Sequence, residues 1–205
     1  NKKQILVNQF KGISILITAG PTIENIDPVR FVSNKSSGKQ GFEIASELTN
    51  RGAKVTLISG PVNIPFPNCE NVIQVTTAQE MLDNVTQQLP TDILICSAAV
   101  ADWKFIPKTS SNKEIAINNK IKKTNKNLLF ETEKNPDILE TVAKSNLRPK
   151  IVIGFSAETD NIKKNAFSKL ISKNIDLIIA NDVSNNKVFG EDFNKVSLIE
   201  KNNYE

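Results

Sequence analysis

The residues able to do chemistry gather in loops that follow short apolar runs. The longest such loop is Gly20-Pro-Thr-Ile-Glu-Asn-Ile-Asp-Pro-Val-Arg30, continued by Phe-Val-Ser-Asn34-Lys-Ser-Ser37-Gly38-Lys-Gln-Gly41. Glycines and serines between a strand and a helix expose backbone amides. A helix starting near Gly38 aims its positive end at that loop, an arrangement suited to phosphate. The pattern is neither G-x-G-x-x-G nor G-x4-G-K-[ST], so the usual dinucleotide and P-loop motifs do not apply. On residue types alone the segment is as much a long connection as an anion site. A second loop, Ser97-Ala-Ala-Val-Ala-Asp102, ends a strand with small side chains and one carboxylate.

Histidine is absent from all 205 residues. That excludes Ser-His-Asp triads, Cys-His dyads, His-anchored zinc and any imidazole shuttle. Chemistry at neutral pH must then use cations, backbone amides, carboxylates or a metal ion. Lys plus Arg number 26 against 22 Asp plus Glu, a formal charge of +4. No basic run interleaved with aromatics marks a nucleic-acid tract, so small anionic ligands fit better than a polyanion. Cys69 and Cys96 form no CxxC, and Cys96 within Asp92-ILIC-Ser97 is expected to be a buried core thiol. Two unpaired cysteines suit a reducing cytoplasm. No apolar stretch approaches about 18 residues and no charged-then-apolar leader is present, so neither a membrane span nor a signal peptide is expected. The start at Asn1, in place of Met, gives the expectation of a piece cut from a longer chain.

The elements that must position these loops alternate between buried strands and amphipathic helices. Ile13 to Thr18 is a β-branched strand closed by Gly20 and Pro21. Lys39 to Arg51 spaces Phe42, Ala45 and Leu48 as a helix face and stops at Gly52. Ala53 to Ser59 is the next strand, Val72 to Val75 a weak one, and Thr77 caps a helix ending by Pro90. Asp92 to Ala98, Lys150 to Phe155 and Ile175 to Ala180 are further strands, and Lys195 to Glu200 is an edge strand. Leu128 to Phe130 is short. Helices are expected from Asn135-Pro136, with Pro in the first turn, and over Asn161 to Lys173. This alternation predicts an α/β, Rossmann-like, doubly wound and mostly parallel sheet in a single domain, with ligands at the carboxyl ends of the strands. Lys104 to Asn127, polar and aperiodic, breaks the rhythm and is expected to be a long mobile loop.

Seven runs in order, ITAGPTIENIDPVRFVSNKSSGKQG, GAKVTLISGPV, CSAAVADW, KIKK, KNPDIL, GFSAET and LIIANDV, span about Ile15 to Val183. Together they resemble the phosphopantothenoylcysteine synthetase domain of coenzyme A biosynthesis, which implies one such domain over residues 1–205. In many bacteria that domain follows a flavin-dependent decarboxylase domain in one polypeptide, so FMN is expected only on the half not represented here. The resemblance implies a ligase. The carboxylate of 4′-phosphopantothenate attacks the α-phosphate of CTP, pyrophosphate leaves, and the amine of L-cysteine displaces CMP from the acyl-cytidylate. It also implies Mg²⁺ and a cytoplasmic homodimer whose long loop covers the neighbour's site.

The same resemblance assigns residues. Asn34, in SN-x-SSG, corresponds to the asparagine that holds the acyl-cytidylate, and Arg30 to a substrate-binding arginine. Gly20 and the backbone amides of Ser36, Ser37 and Gly38 correspond to the nucleotide's phosphate cradle. Ala98, at substrate and nucleotide alike, and Ala99 permit close approach. Asp102 is implied at the nucleotide and its metal. Pro136, Asp137, Ile138 and Leu139 correspond to a backbone segment that reads the nucleotide, with Phe155 beside it. Lys120, first of KIKK, is implied to contact the triphosphate during activation, and Lys169 and Lys173 to bind nucleotide. By residue type alone the ordinary readings are a turn asparagine for Asn34, a surface ion pair for Arg30, a helix cap for Asp102, tight packing for Ala98 and Ala99, and a solvated face for the lysines, and for Asn34 and Lys120 they are the preferred ones. The stretch before Lys120 is several residues longer than the family's usual one, and Trp103 is a second departure. Two other classes remain. A short-chain oxidoreductase needs a TGxxxGxG loop and a Tyr-x3-Lys pair, and the single Tyr204 lies at the extreme C-terminus. A non-catalytic nucleotide-binding module is separated from the ligase only by pyrophosphate release.

Overall fold

A computed structural model describes residues 8–123, 127–183 and 194–201. Seven strands form the central sheet: β1 (Ser14–Ala19), β4 (Lys54–Ser59), β5 (Asn71–Gln74), β6 (Ile93–Cys96), β9 (Ile151–Glu158), β10 (Leu177–Asp182) and β11 (Val196–Glu200). Their order is β11-β10-β9-β6-β1-β4-β5, and every pairing is parallel except β10 with β11. Starting from β1 the strands are added outward through β4 to β5, and then on the other side from β6. The topological switch point therefore lies between β1 and β6. Outside the sheet lie two antiparallel ribbons, β2 (Ile23–Asn25) with β3 (Phe31–Ser33) and β7 (Trp103–Lys108) with β8 (Leu129–Lys134).

Side-chain alternation divides the core. Ile15, Ile17 and Ala19 of β1 join Val55 and Leu57 under α1 (Lys39–Asn50), which contributes Phe42 and Ala45. Leu16 points the other way, into a layer with Leu94, Val152 and Ile178. That face is covered by α2 (Ala78–Gln87), α3 (Ile138–Ala143) and α4 (Ile162–Ser172), through residues such as Met81, Val142 and Leu170. Strands buried on both faces give the continuous apolar runs of a parallel sheet, so the doubly wound architecture expected from the sequence is the one observed. Thr77 caps α2 in a full capping box with Glu80. Among the described residues no helix is long and apolar enough to cross a membrane.

Several local features differ from the sequence expectation. The segment between Gly20 and Gly38 contains the β2–β3 hairpin. Lys104, the start of the expected loop, lies within β7, whose partner β8 runs well past Phe130. Neither strand shows a clean period of two, because every residue of β8 is exposed and the burial along β7 runs over consecutive residues, Phe105 to Lys108, without alternating. Residues 124–126 of that stretch lie outside the described set. Pro136 is not in the first turn of α3: Asp137 is the N-cap, its Oδ1 accepting from Glu140 N at 2.9 Å. The strands β9 and β10 outrun their apolar residues, to Glu158 and Asp182. Cys96 packs against the core layer that contains Leu94, but at the carboxyl end of β6 it is only partly buried.

The turn after β4 crosses the loop after β1 at very close range. A Cβ added to Gly60 would lie 1.7 Å from the carbonyl oxygen of Pro21. Backbone on both sides leaves nothing to give way, so Gly60→Ala should destabilise the domain by about 3 kcal/mol. Urea unfolding followed by circular dichroism checks this; an unchanged midpoint would show that the turn is free to shift.

Candidate functional site

The pairing of β1 with β6 continues beyond both strands. Ala99 N donates to Gly20 O at 2.9 Å, Thr22 N to Ala99 O at 3.3 Å, and Ala101 N to Thr22 Oγ1 at 2.9 Å. A cleft of about 750 Å³ opens beside this extension, lined by the carboxyl ends of β1, β6, β9 and β10 and by the start of α1. That volume is ample for a nucleotide-sized ligand.

The residues from Ser36 to Gly41 carry α1 onto its floor. Gly38, the N-cap, has φ +74°, which a β-carbon disfavours; having no side chain it leaves the first amides to the preceding serines, Ser36 Oγ accepting from Gly38 N at 3.3 Å and Ser37 Oγ from Lys39 N at 3.4 Å. A Cβ on Gly41 would come within 2.6 Å of Ala19 Cβ and 2.5 Å of Ser97 Oγ, so this first turn lies directly on the ends of β1 and β6. The side chain of Asn34 is directed by its amide, whose Nδ2 donates to the carbonyls of Val100 at 2.9 Å and Ala99 at 3.3 Å. Its carbonyl oxygen is left for a ligand's donor. Asp102 is exposed on the cleft wall, and Asn135 beside it donates from Nδ2 to Ala101 O and from N to Asp102 O.

Two lysines on α4 and its C-cap enter from the β9 side, each aimed by an acid. Lys169 Nζ lies 2.6 Å from Glu158 Oε1 and 3.1 Å from Ser156 Oγ. Burial pushes the Glu158 carboxyl up, but Lys169, Ser156 and Asn165 outweigh it and hold the group below its ordinary value. Lys173 Nζ lies 2.6 Å from Asp137 Oδ2, the same carboxylate whose other oxygen caps α3. Phe155 and the backbone from Pro136 to Leu139 line the wall between them.

Three of the residues singled out from the sequence stand elsewhere. Gly20 lies behind the wall, packed where a Cβ would meet Val62 at 2.9 Å. Arg30 is outside the cleft and directs Nε and Nη2 to Asp27, whose side chain is fully enclosed. Lys120 is exposed on a strap and does not line the cleft; its neighbour Ile121 donates from N to Asp27 Oδ2 at 3.1 Å and accepts from Arg30 Nη2 at 3.0 Å. The Arg30 guanidinium, opposed by burial and helped by the amides of Val29, Ile121 and Arg30, holds the Asp27 carboxyl well below the usual range. All the other candidates, from Asn34 to Lys173, line the cleft. Sequence reasoning passed over Gln40, Ser156, Glu158 and Asn181. Their signal was position alone: the first turn after the serine-glycine run, or the polar end of a strand.

Cys96 lines the cleft floor. Desolvation, only partly offset by Thr18, pushes its thiol up to about 12. Iodoacetamide at pH 8 should therefore label native Cys96 more than about a hundredfold more slowly than the urea-unfolded chain. Mass-spectrometric time courses measure the ratio, and equal rates would contradict the buried-thiol geometry.

Comparison with known proteins adds an independent line. Residues 10–205 match the family described as DNA/pantothenate metabolism flavoprotein C-terminal domain. The chain is 44% identical over 196 residues to the coenzyme A biosynthesis bifunctional protein CoaBC of Haemophilus influenzae, covering 95% of this chain and 47% of that protein. It thus spans about half the length of the bifunctional relatives it matches. A crystal structure of the C-terminal domain of CoaBC aligns with a TM-score of 0.75 at 38% identity, over 95% of this chain and 85% of that one. The fold recurs at 17% identity and a TM-score of 0.72 in a Cab2 mutant in complex with phosphopantothenate-cysteine, over 98% of this chain and 80% of that one. With the match running along nearly the whole chain, this protein belongs to the DNA/pantothenate metabolism flavoprotein C-terminal domain family.

Proposed function

We propose that this domain is a phosphopantothenate–cysteine ligase that activates its acyl substrate with CTP. The observation that carries the reading is the convergence, in one cleft at the switch point, of a helix start with glycine as its N-cap, two acid-directed lysines and the anchored amide of Asn34. Relatives named for coenzyme A biosynthesis support the pathway, and a structure of the same fold holding phosphopantothenate-cysteine agrees with the product.

In this reading the amides of Ser36, Ser37 and Gly38 seat phosphate oxygens at the start of α1. The carboxylate of 4′-phosphopantothenate forms a bond to the α-phosphorus of CTP while the bond to pyrophosphate breaks. Lys169 and Lys173 lower the cost of the charge that collects on the phosphoryl oxygens. Lys120 joins them when its strap reaches a cleft. Asn34 holds the acyl-cytidylate without adding charge, and the amine of cysteine then attacks the acyl carbon and releases CMP. Backbone groups of Pro136 to Leu139, with Phe155, read the cytosine edge.

Among the described residues no cluster of three or more acids or cysteines forms a metal cage. Magnesium is ordinarily held by one or two carboxylates plus substrate phosphates, and Asp102 on the cleft wall fits that mode. Such an ion neutralises phosphate charge when bound. Exposed Val29 and Phe31 on one hairpin and Leu129 and Phe130 on the other support a homodimer, since β2 packs against β7 and brings the two hairpins together. The two free cysteines agree with a cytoplasmic setting, and a flavin-bearing decarboxylase domain is proposed for the full-length chain.

Pyrophosphate release with CTP, 4′-phosphopantothenate and L-cysteine tests the reading directly. A protein that binds CTP yet releases no pyrophosphate is a non-catalytic nucleotide module instead. Lys120→Gln should abolish acyl-cytidylate formation, and normal levels of that intermediate by mass spectrometry would refute its assignment. Asn34→Asp should slow turnover by at least about a hundredfold, because a second carboxylate repels the phosphate; unchanged turnover would remove Asn34 from the site.

A further inference from the structure

Lys169 and Lys173 are each directed by a carboxylate that meets the ammonium group itself, Glu158 and Asp137. Lys120 has no such acid: its side chain stands exposed, and among the described residues nothing pairs with its ammonium group. From Ala116 to Lys123 the chain forms neither helix nor strand, and the hydrogen bonds that tie this strap to the rest of the described residues are the two on the backbone of Ile121. Ile121 N donates to Asp27 Oδ2 at 3.1 Å, and Arg30 Nη2 donates to Ile121 O at 3.0 Å. Without a ladder to hold it, a segment samples many backbone states, so this one residue decides where the strap runs.

The partner of that residue is an acid where an amide would close the turn. Asp27 Oδ1 accepts from Val29 N at 2.9 Å and from Arg30 N at 2.8 Å, which shapes the connection between β2 and β3. Asn or Ser makes such a turn without enclosing a charge. Asp27 Oδ2, on a side chain with no exposed surface, accepts from Arg30 Nε at 3.0 Å, from Arg30 Nη2 and from Ile121 N, 94 residues further along the chain. Only an ionised carboxylate, with no proton of its own, faces five donors together. The second oxygen therefore serves the strap and its guanidinium, not the turn.

We propose that Asp27 is a positioning residue for the activation step, holding the strap through Ile121 so that Lys120 meets the triphosphate. This rests on the ligase reading and deepens it. Asp27 itself touches no ligand. Fixing the backbone beside Lys120, and not its ammonium group, leaves that group unpaired for the phosphoryl oxygens.

Asp27→Asn keeps the size of the side chain and removes the charge. With its one oxygen turned to Val29 N and Arg30 N the turn survives, and an NH2 group then faces Arg30 Nε, Arg30 Nη2 and Ile121 N. Native-state trypsin cleavage after Lys120, Lys122 and Lys123, followed by mass spectrometry, should accelerate at least about tenfold, while cleavage after exposed Lys144 keeps its wild-type rate. With CTP, 4′-phosphopantothenate and L-cysteine, kcat for pyrophosphate release should fall at least about tenfold at an unchanged calorimetric Kd for CTP, the split expected when a group that acts in the transition state is misplaced. Wild-type cleavage rates at the strap of this variant overturn the tether. A loosened strap with unchanged kcat, or a Kd weakened as much as kcat falls, overturns the positioning of Lys120. Should Asp27→Asn not fold, Arg30→Lys keeps a cation beside Asp27 but loses the fork that reaches Ile121 O, and strap cleavage and kcat should each shift about threefold; no shift in either overturns the proposal. Wild-type protein that releases no pyrophosphate overturns the ligase reading itself, and the trypsin rates still decide the tether.

Discussion

The geometry of the cleft depends on backbones that meet without side chains between them at the carboxyl end of β1. Gly60 lies against the Pro21 carbonyl, and Gly41 lies against Ala19 and Ser97. These contacts let the β1–β6 pairing run on to Ala99 and bring the start of α1 down onto the sheet. Two carbonyls of the extended segment, Ala99 and Val100, become the anchor for Asn34. Helix start, small-residue wall and amide side chain are therefore consequences of one close approach, and none is set by a loop acting alone.

Charge in the cleft is arranged by a second device. Lys169 and Lys173 do not extend freely into water; Glu158 and Asp137 fix their directions. Such pairs at half-exposed positions add little stability, but they orient ammonium groups before a ligand arrives. Preorganised charge of this kind costs no rearrangement at the moment of reaction. Without an imidazole in the chain, no histidine titration alters the pattern near neutral pH.

The sequence revealed what is buried on both sides. β1, β4, β6 and the cores of β9 and β10 are near-continuous apolar runs because helices cover each face. It concealed what is not. In the β7–β8 ribbon β8 is exposed throughout and β7 does not alternate, so nothing imposes a period of two, and the ends of β9 and β10 turn polar where they reach the cleft, so their apolar runs stop before the strands do. The same polar ends carry Ser156, Glu158 and Asn181. Residue types marked the loop before α1 as a candidate anion site, and family resemblance implied roles that no spacing could. Residue type allowed Arg30 an ion pair, but neither source named Asp27 as its partner, since nothing in DPVR says that Asp27 will be enclosed.

That enclosure bears on how Lys120 and Asn34, far apart in sequence, come to belong to one unit. Asp27 lies in the connection between β2 and β3, and it accepts hydrogen bonds from Val29, Arg30 and Ile121. Arg30 closes the arrangement by donating to the Ile121 carbonyl. Both backbone groups of Ile121 are thus tied to the hairpin, so Lys120 moves with the hairpin rather than with the sheet. Asn34 follows β3 directly, and Ser33 holds that strand to Thr22 O at 2.8 Å. One small ribbon therefore sets the position of both residues. A change at Asp27 would act on both without touching a ligand, because its carboxylate holds Val29, Arg30 and Ile121 in one arrangement.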